Sequence, residues 1–362
     1  MVRTGVILGL LAVVLAWPVP MLLVRARWTA RGPALALVLW QAIALSGGMC
    51  MIGALLAFGL APAGHDLLSA SSTVLADVRG GTDPSMTLGI VPVFALCAAV
   101  LLGGHLLLTL GLTWRRISQR RRAHRDALRL LSRPATPDDS GGDGAVRDGA
   151  ARDNTLVVDH PTPLAYCLPG GTKSVTVLSD GLLQALAPAE LDAVLAHERA
   201  HLSQHHHLLL LAFAAWRSSL PWLPTSRLAL GAVTDLVEML ADDDALHTVD
   251  RTTLVRAIAI VGGASAPVEP AQSGGAADGN EPAGGSGSAR PDAVGHRPLT
   301  AGADPVVRVD GVEADAMATP RRVTPARVTR LLRPPAPLGA VPRIVVGLLA
   351  LLLVLAPATL LA

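Results

Sequence analysis

The chain has 362 residues, 51% of them hydrophobic and only 16% charged, with a mean hydropathy of +0.46. That balance excludes an ordinary soluble domain and points to helices that face lipid. The net charge is only +2, but it is unevenly spread, and Lys173 is the single lysine among 30 cationic residues. Cys50, Cys97 and Cys167 show neither metal-ligand spacing nor a disulfide framework and read as reduced, structural thiols.

Four apolar stretches, about 5–24, 34–60, 88–112 and 344–361, each supply the ~20 residues of helix that a bilayer span needs. The first lacks a small-x-small cleavage site and contains Pro18 and Pro20, so it reads as a retained span rather than a signal peptide. Arginine asymmetry sets the expected orientation. The first connection carries Arg25, Arg27 and Arg31, and the second carries only Arg79 against Asp66, Asp77 and Asp83. After the third span comes WRRISQRRRAHRDALRLLSR, with eight arginines from Arg115 to Arg133. The first and third connections are therefore expected in the cytoplasm, and both chain ends outside. The arginine run sits directly after a span, so it predicts contact with lipid headgroups, and no direct nucleic-acid binding is expected.

The predicted organisation follows in order. Residues 1–113 form a three-span region, and 114–154 a basic juxtamembrane segment and linker. Residues 155–261 form a catalytic domain, 262–320 a Gly/Ala/Pro/Ser-rich disordered loop, and 321–362 a basic segment with the last span. Within the catalytic domain, 155–158, 165–168 and 174–178 read as short strands between Pro/Gly turns. A helix follows, with Pro188 and Glu190 in its first turn and the run LDAVLAHERAHL beyond.

The chemistry is carried by His197, Glu198 and His201 in AHERAH. Residues four apart share a helix face, so His197 and His201 can present two imidazoles to one ion. Glu198 can then take a proton from water activated there. A catalytic zinc wants a third protein ligand and an open position. In LVEMLADDDAL, Glu238 can complete a His–His–Glu set. Asp242, one turn on, can accept a hydrogen bond from the far nitrogen of a ligating histidine. Asp243 and Asp244 read as a solvated face, His205, His206 and His207 as bystanders to the metal, and His247 as structural.

Between the two motifs, 208–223 would make roughly 24 Å of helix, short of a ~30 Å hydrocarbon core, and contains Arg217 and Pro221. A full crossing would put Glu238 on the wrong side of the membrane from His201. Residues 208–224 are therefore predicted to be a re-entrant or interfacial hairpin.

HERAH followed by ExxxD, with a Pro-Trp hairpin between, resembles the BlaR/MecR-type integral-membrane zinc metallopeptidases, relatives of the HtpX-like and CAAX prenyl proteases. LVVDHPTPLAYCLPGGTKSVTVLSDGLLQALAPAELDAVLAHE extends the likeness over about residues 155–250. The resemblance implies a mostly α, polytopic membrane protein with a small β-sheet in a gluzincin-like domain on the cytoplasmic face. It implies one Zn(2+) per chain on His197, His201 and Glu238, Glu198 as general base, and Asp242 behind the ligands. It further implies that the strand of Ala165, Tyr166, Cys167 and Leu168 lines the cleft, where a substrate peptide could add as a strand. Antibiotic sensors of this group carry an external penicillin-binding domain after the last span, and none is expected here.

The expected function is membrane-embedded zinc endopeptidase, located in the cell membrane and acting on a protein such as a cytoplasmic winged-helix repressor. Two alternatives stand beside it: a housekeeping quality-control protease and a non-catalytic signalling receptor. Glu198 argues against the receptor, which would need no general base.

Overall fold

The computed structural model describes residues 1–81, 83–134, 155–168, 174–264 and 324–361. They belong to one compact unit, Met1–Ser265 with Ala314–Ala362. The expected linker at 136–154 and nearly all of the expected loop at 262–320 lie outside the described residues.

Four stretches of helix are long and apolar enough to cross a membrane: Val2–Arg25, Pro33–Leu60, Ile90–Leu128 and Ala340–Leu361. They contain the first, second and fourth apolar stretches expected from the sequence, and the third from Ile90, since Leu88 ends the preceding short helix. The first is broken at Trp17 into α1 (Val2–Ala16) and α2 (Pro18–Arg25). Pro18 and Pro20 cause the break, because neither has an N–H for the helical ladder. In a continuous helix the Ala16 carbonyl would accept from residue 20, which is Pro20. Helix α3 (Pro33–Leu60) follows, then two shorter helices, α4 (Leu67–Arg79) and α5 (Pro84–Leu88), each capped by an aspartate, Asp66 and Asp83. Helix α6 (Ile90–Leu131) runs 42 residues without interruption. The arginine-rich segment is therefore a direct extension of the third span, where the sequence reading ended the span near residue 112.

A four-stranded mixed sheet follows, in the order β1-β2-β4-β3. Strand β1 (Ser132–Pro134) pairs antiparallel with β2 (Thr155–Val158). Strand β4 (Val175–Ser179) lies parallel to β2 and antiparallel to β3 (Ala165–Leu168). Strand β3 is thus an edge strand. Ser179 ends β4 and caps α7 (Asp180–Ala185) by accepting from the Leu182 N–H at 3.1 Å. The same hydroxyl donates to the Thr162 carbonyl at 2.8 Å and accepts from the Leu164 N–H at 2.9 Å. Gly181 packs under this loop, where a Cβ would fall 2.0 Å from the Pro161 carbonyl oxygen. The Ser-x-Gly pattern of LSDGLL is a packing requirement of this junction.

Helix α8 (Pro188–Ser203) carries HERAH. Its first turn is closed by the Ala187 N–H donating to Glu190 Oε2 at 2.9 Å. One face joins Leu191 and Leu195 to Leu178, Leu182 and Leu186. The other sets Ala193 against Ala245, Leu254, Ala257 and Leu331, and its small residues let neighbouring helices approach closely. Helices α9 (His206–Ser219) and α10 (Pro224–Ala245) form the hairpin, which is longer than the predicted 208–224. Phe213, Ala229, Val233 and Val237 from it share one apolar cluster with Leu39, Trp40 and Ile43 of α3 and Ala350 of the last helix. Helix α11 (Arg251–Ala264), the short α12 (Pro325–Leu332) and α13 (Ala340–Leu361) complete the described chain.

Candidate metal centre and active site

Helices α8 and α10 bring His197, His201 and Glu238 together in the interior, all three buried, with one potential ligand atom from each within 4.8 Å of the others. The two imidazoles meet through Nε2 at 3.2 Å. Glu238 Oε2 stands 3.4 Å from His197 Nε2, and Oε1 stands 3.5 Å from His201 Nε2. A tetrahedral ion with 2.0–2.1 Å bonds has ligand atoms about 3.3 Å apart. The donor set and its spacing therefore fit a zinc-sized divalent ion.

Asp242 lies one turn beyond Glu238 on the same face and is 1% exposed. His197 Nδ1 is 3.0 Å from Asp242 Oδ1, so the ring donates there and turns Nε2 toward Glu238 and His201. Burial opposes charge on both groups. The Asp242 and Glu238 carboxylates outweigh it at His197 and raise that pKa. At Asp242, the hydrogen bonds from His197 and Arg327 outweigh burial and hold the carboxyl below its usual range. Glu198 is also buried, next in sequence to His197.

Ala165, Tyr166, Cys167 and Leu168 all lie on edge strand β3. The Tyr166 hydroxyl is hydrogen-bonded to His124 Nε2 at 2.9 Å, tying β3 to the extension of α6. Cys167 Sγ lies 3.3 Å from Thr176 Oγ1 on β4.

Two side chains at this site were not identified from sequence. Arg327 of α12 is 4% exposed. Its Nε and Nη2 donate to Asp242 Oδ2 and Oδ1 at 2.6 and 2.7 Å, and its Nη1 to Glu238 Oε2 at 3.0 Å. The basic segment before the last span thus also contributes a buried arginine to the site. Three residues on, Arg330 donates to both oxygens of Asp243 at 2.7 Å and to the Ala30 carbonyl at 2.8 Å. Asp243 is therefore paired and not simply part of a solvated face. The second is His206, which is 2% exposed and packs on the back of His201. His247, by contrast, is exposed and bonds only locally, to the Asp244 carbonyl at 3.2 Å.

No solved structure matches this chain. Residues 145–265, about a third of its length, match the family model described as Peptidase family M48. The matched segment contains His197, Glu198, His201, Glu238 and Asp242 but stops short of Arg327. The M48 match and the His–His–Glu cluster inside it support a metallopeptidase with four helices apolar enough to cross a membrane.

Proposed function

We propose that the protein is a membrane-embedded zinc endopeptidase that cuts a protein substrate at the cytoplasmic surface. The observation that carries the reading is the buried His197–His201–Glu238 cluster at zinc-like spacing, with Glu198 on the same helix. When bound, the ion supplies Lewis acidity that polarises a scissile carbonyl and acidifies the attacking water. Glu198 takes the proton from that water and hands it to the departing amine. Asp242 holds the His197 ring in place through Nδ1. Strand β3, at the edge of the sheet among the described strands, offers an extended peptide a ladder of backbone groups to pair with.

The hairpin supports the placement beside a membrane. His105 Nε2 donates to the Ser219 carbonyl at the hairpin tip, at 3.1 Å, and His105 lies ten residues before Arg115. Thr225, at the start of the return helix, bonds the Leu15 and Ala16 carbonyls, nine or ten residues before Arg25. Along the unbroken α6, ten residues put the tip about 15 Å below Arg115, half of a ~30 Å hydrocarbon layer. A re-entrant loop that turns at mid-depth returns Glu238 to the arginine side.

A cytoplasmic repressor and the clients of general quality control are the two substrate classes that this reading leaves. The test is substrate capture in native membranes with Glu198→Gln. Gln keeps the shape and loses the basicity, and general acid–base catalysis is worth about 10²- to 10⁴-fold. The variant should retain the metal and hold an uncut substrate that the wild type cleaves. Near-normal turnover would overturn the peptidase reading. Capture of many unrelated membrane proteins would replace the repressor with a housekeeping role.

A further inference from the structure

We infer that His206 is a positioning residue for the metal centre, fixing the tautomer and ring orientation of His201 through a relay anchored on Gln204. The inference rests on the metallopeptidase reading. Asp242 serves the far nitrogen of His197. At His201 the corresponding nitrogen, Nδ1, lies 3.0 Å from Nδ1 of His206. The rings meet edge to face, with centroids 4.9 Å apart. His206 Nε2 in turn lies 3.0 Å from Gln204 Oε1.

The relay has one consistent direction. A carbonyl oxygen only accepts, so His206 carries its proton on Nε2 and donates to Gln204. Nδ1 of that neutral ring is then bare and can only accept. His201 must therefore donate from Nδ1, which leaves the lone pair of its Nε2 directed at His197 and Glu238. This is the tautomer a metal ligand at Nε2 requires.

The backbone is bent to make the contact. Helix α8 ends at Ser203, and His205 adopts φ 52°, the sole non-glycine residue with positive φ among the described residues. Without that left-handed step α8 would continue, and residue 206 would project from it five positions beyond His201, off the 197/201 face. The turn instead starts α9 at His206 and folds that ring, 2% exposed, onto the back of His201. Such a conformation costs a non-glycine residue energy, and strain of this kind gathers at functional sites.

The experiment compares His206→Asn with His206→Leu in the full chain in detergent, and His201→Ala serves as the metal-free control. Asn places an acceptor oxygen near the position of Nδ1, whereas Leu fills the space without one. Zn²⁺ affinity is read by competition with a chromophoric chelator, and Co²⁺ uptake by its visible absorption. Supporting partners of metal-bound histidines are typically worth about 10- to 100-fold in affinity. His206→Leu should lose that much and alter the Co²⁺ spectrum, and His206→Asn should stay within a few-fold of wild type. Gln204→Leu, at an exposed position, should give a smaller loss, with no further effect on top of His206→Leu. This variant keeps the inference testable should His206→Leu fail to fold. Wild-type affinity in His206→Leu, or in Gln204→Leu where His206→Leu does not fold, would overturn the inference, as would equal losses in His206→Leu and His206→Asn. Wild-type protein that takes up no more metal than His201→Ala would overturn the metallopeptidase reading itself.

Discussion

Arg327 lies 85 residues beyond Asp242 in the chain, yet its guanidinium spans both Asp242 oxygens and reaches Glu238. The buried pocket holds three acids, Glu198, Glu238 and Asp242, and an uncompensated buried charge is costly. Arg327 supplies the compensation and fixes two of the three carboxylates at once. Its Nη2 also approaches both nitrogens of His197 at 3.4 Å, so the opposite role, a plug that competes with the ion, predicts the opposite result. As a positioning group, Arg327→Gln should weaken Zn²⁺ binding by roughly 10- to 100-fold; as a plug, it should strengthen it. Chelator competition on the two proteins decides the sign. His197 and His201 were legible because a spacing of four puts them on one helix face, and Glu198 because it directly follows His197 in the motif. Glu238 and Asp242 were legible as a second i, i+4 pair of acids. Arg327 was not, since a basic run before a span carries no mark that separates a buried arginine from those facing headgroups. His206 was hidden too, because its role depends on a left-handed step at His205 that histidine does not advertise.

Among the elements, the hairpin of α9 and α10 places Glu238, and its tip is held by polar bonds to other helices. The Pro20 ring leaves the Ala16 carbonyl without its helical donor, and the Thr225 hydroxyl supplies one. Thr225 is 1% exposed, so water cannot substitute. Thr225→Val keeps the volume but leaves a buried carbonyl unsatisfied, a loss of about 1–3 kcal/mol. It should lower the thermal midpoint in detergent and leave metal stoichiometry at one. An unchanged midpoint would mean that the break at Trp17 is satisfied in another way. The hairpin itself was legible from length, since 208–223 is too short to cross. Its full extent was not, because α10 begins at Pro224, where a proline reads equally well as the end of a segment or as the first turn of a new helix. The three strands of 155–179 were legible from β-prone runs between turns. Strand β1, only Ser132–Pro134, was not, because three residues have no periodicity and its partner β2 is more than twenty residues away.

The whole molecule has one orientation to settle, and its charges divide sharply. Arg25, Arg27 and Arg31 precede α3, and the extension of α6 carries seven more, from Arg115 to Arg129, with Arg133 following in β1. The segment with α4 and α5 offers Arg79 against Asp66, Asp77 and Asp83. Short basic connections are retained in the cytoplasm. The sheet follows directly on α6, and α12, with Arg327, is docked on Asp242 and Asp243. The entire candidate site must therefore lie on whichever side the α6 extension occupies. Two exposed positions report this, Ser71 in α4 and Ala127 in the extension. In a background with Cys50, Cys97 and Cys167 replaced, Ser71→Cys should react with a membrane-impermeant maleimide on intact cells. Ala127→Cys should react only after permeabilisation. The reverse pattern would put the metal centre outside, removing every cytoplasmic protein from the set of substrates while leaving the site's chemistry untouched. Labelling of both positions on intact cells would mean that Ile90–Leu128, the one apolar helix between them, does not cross.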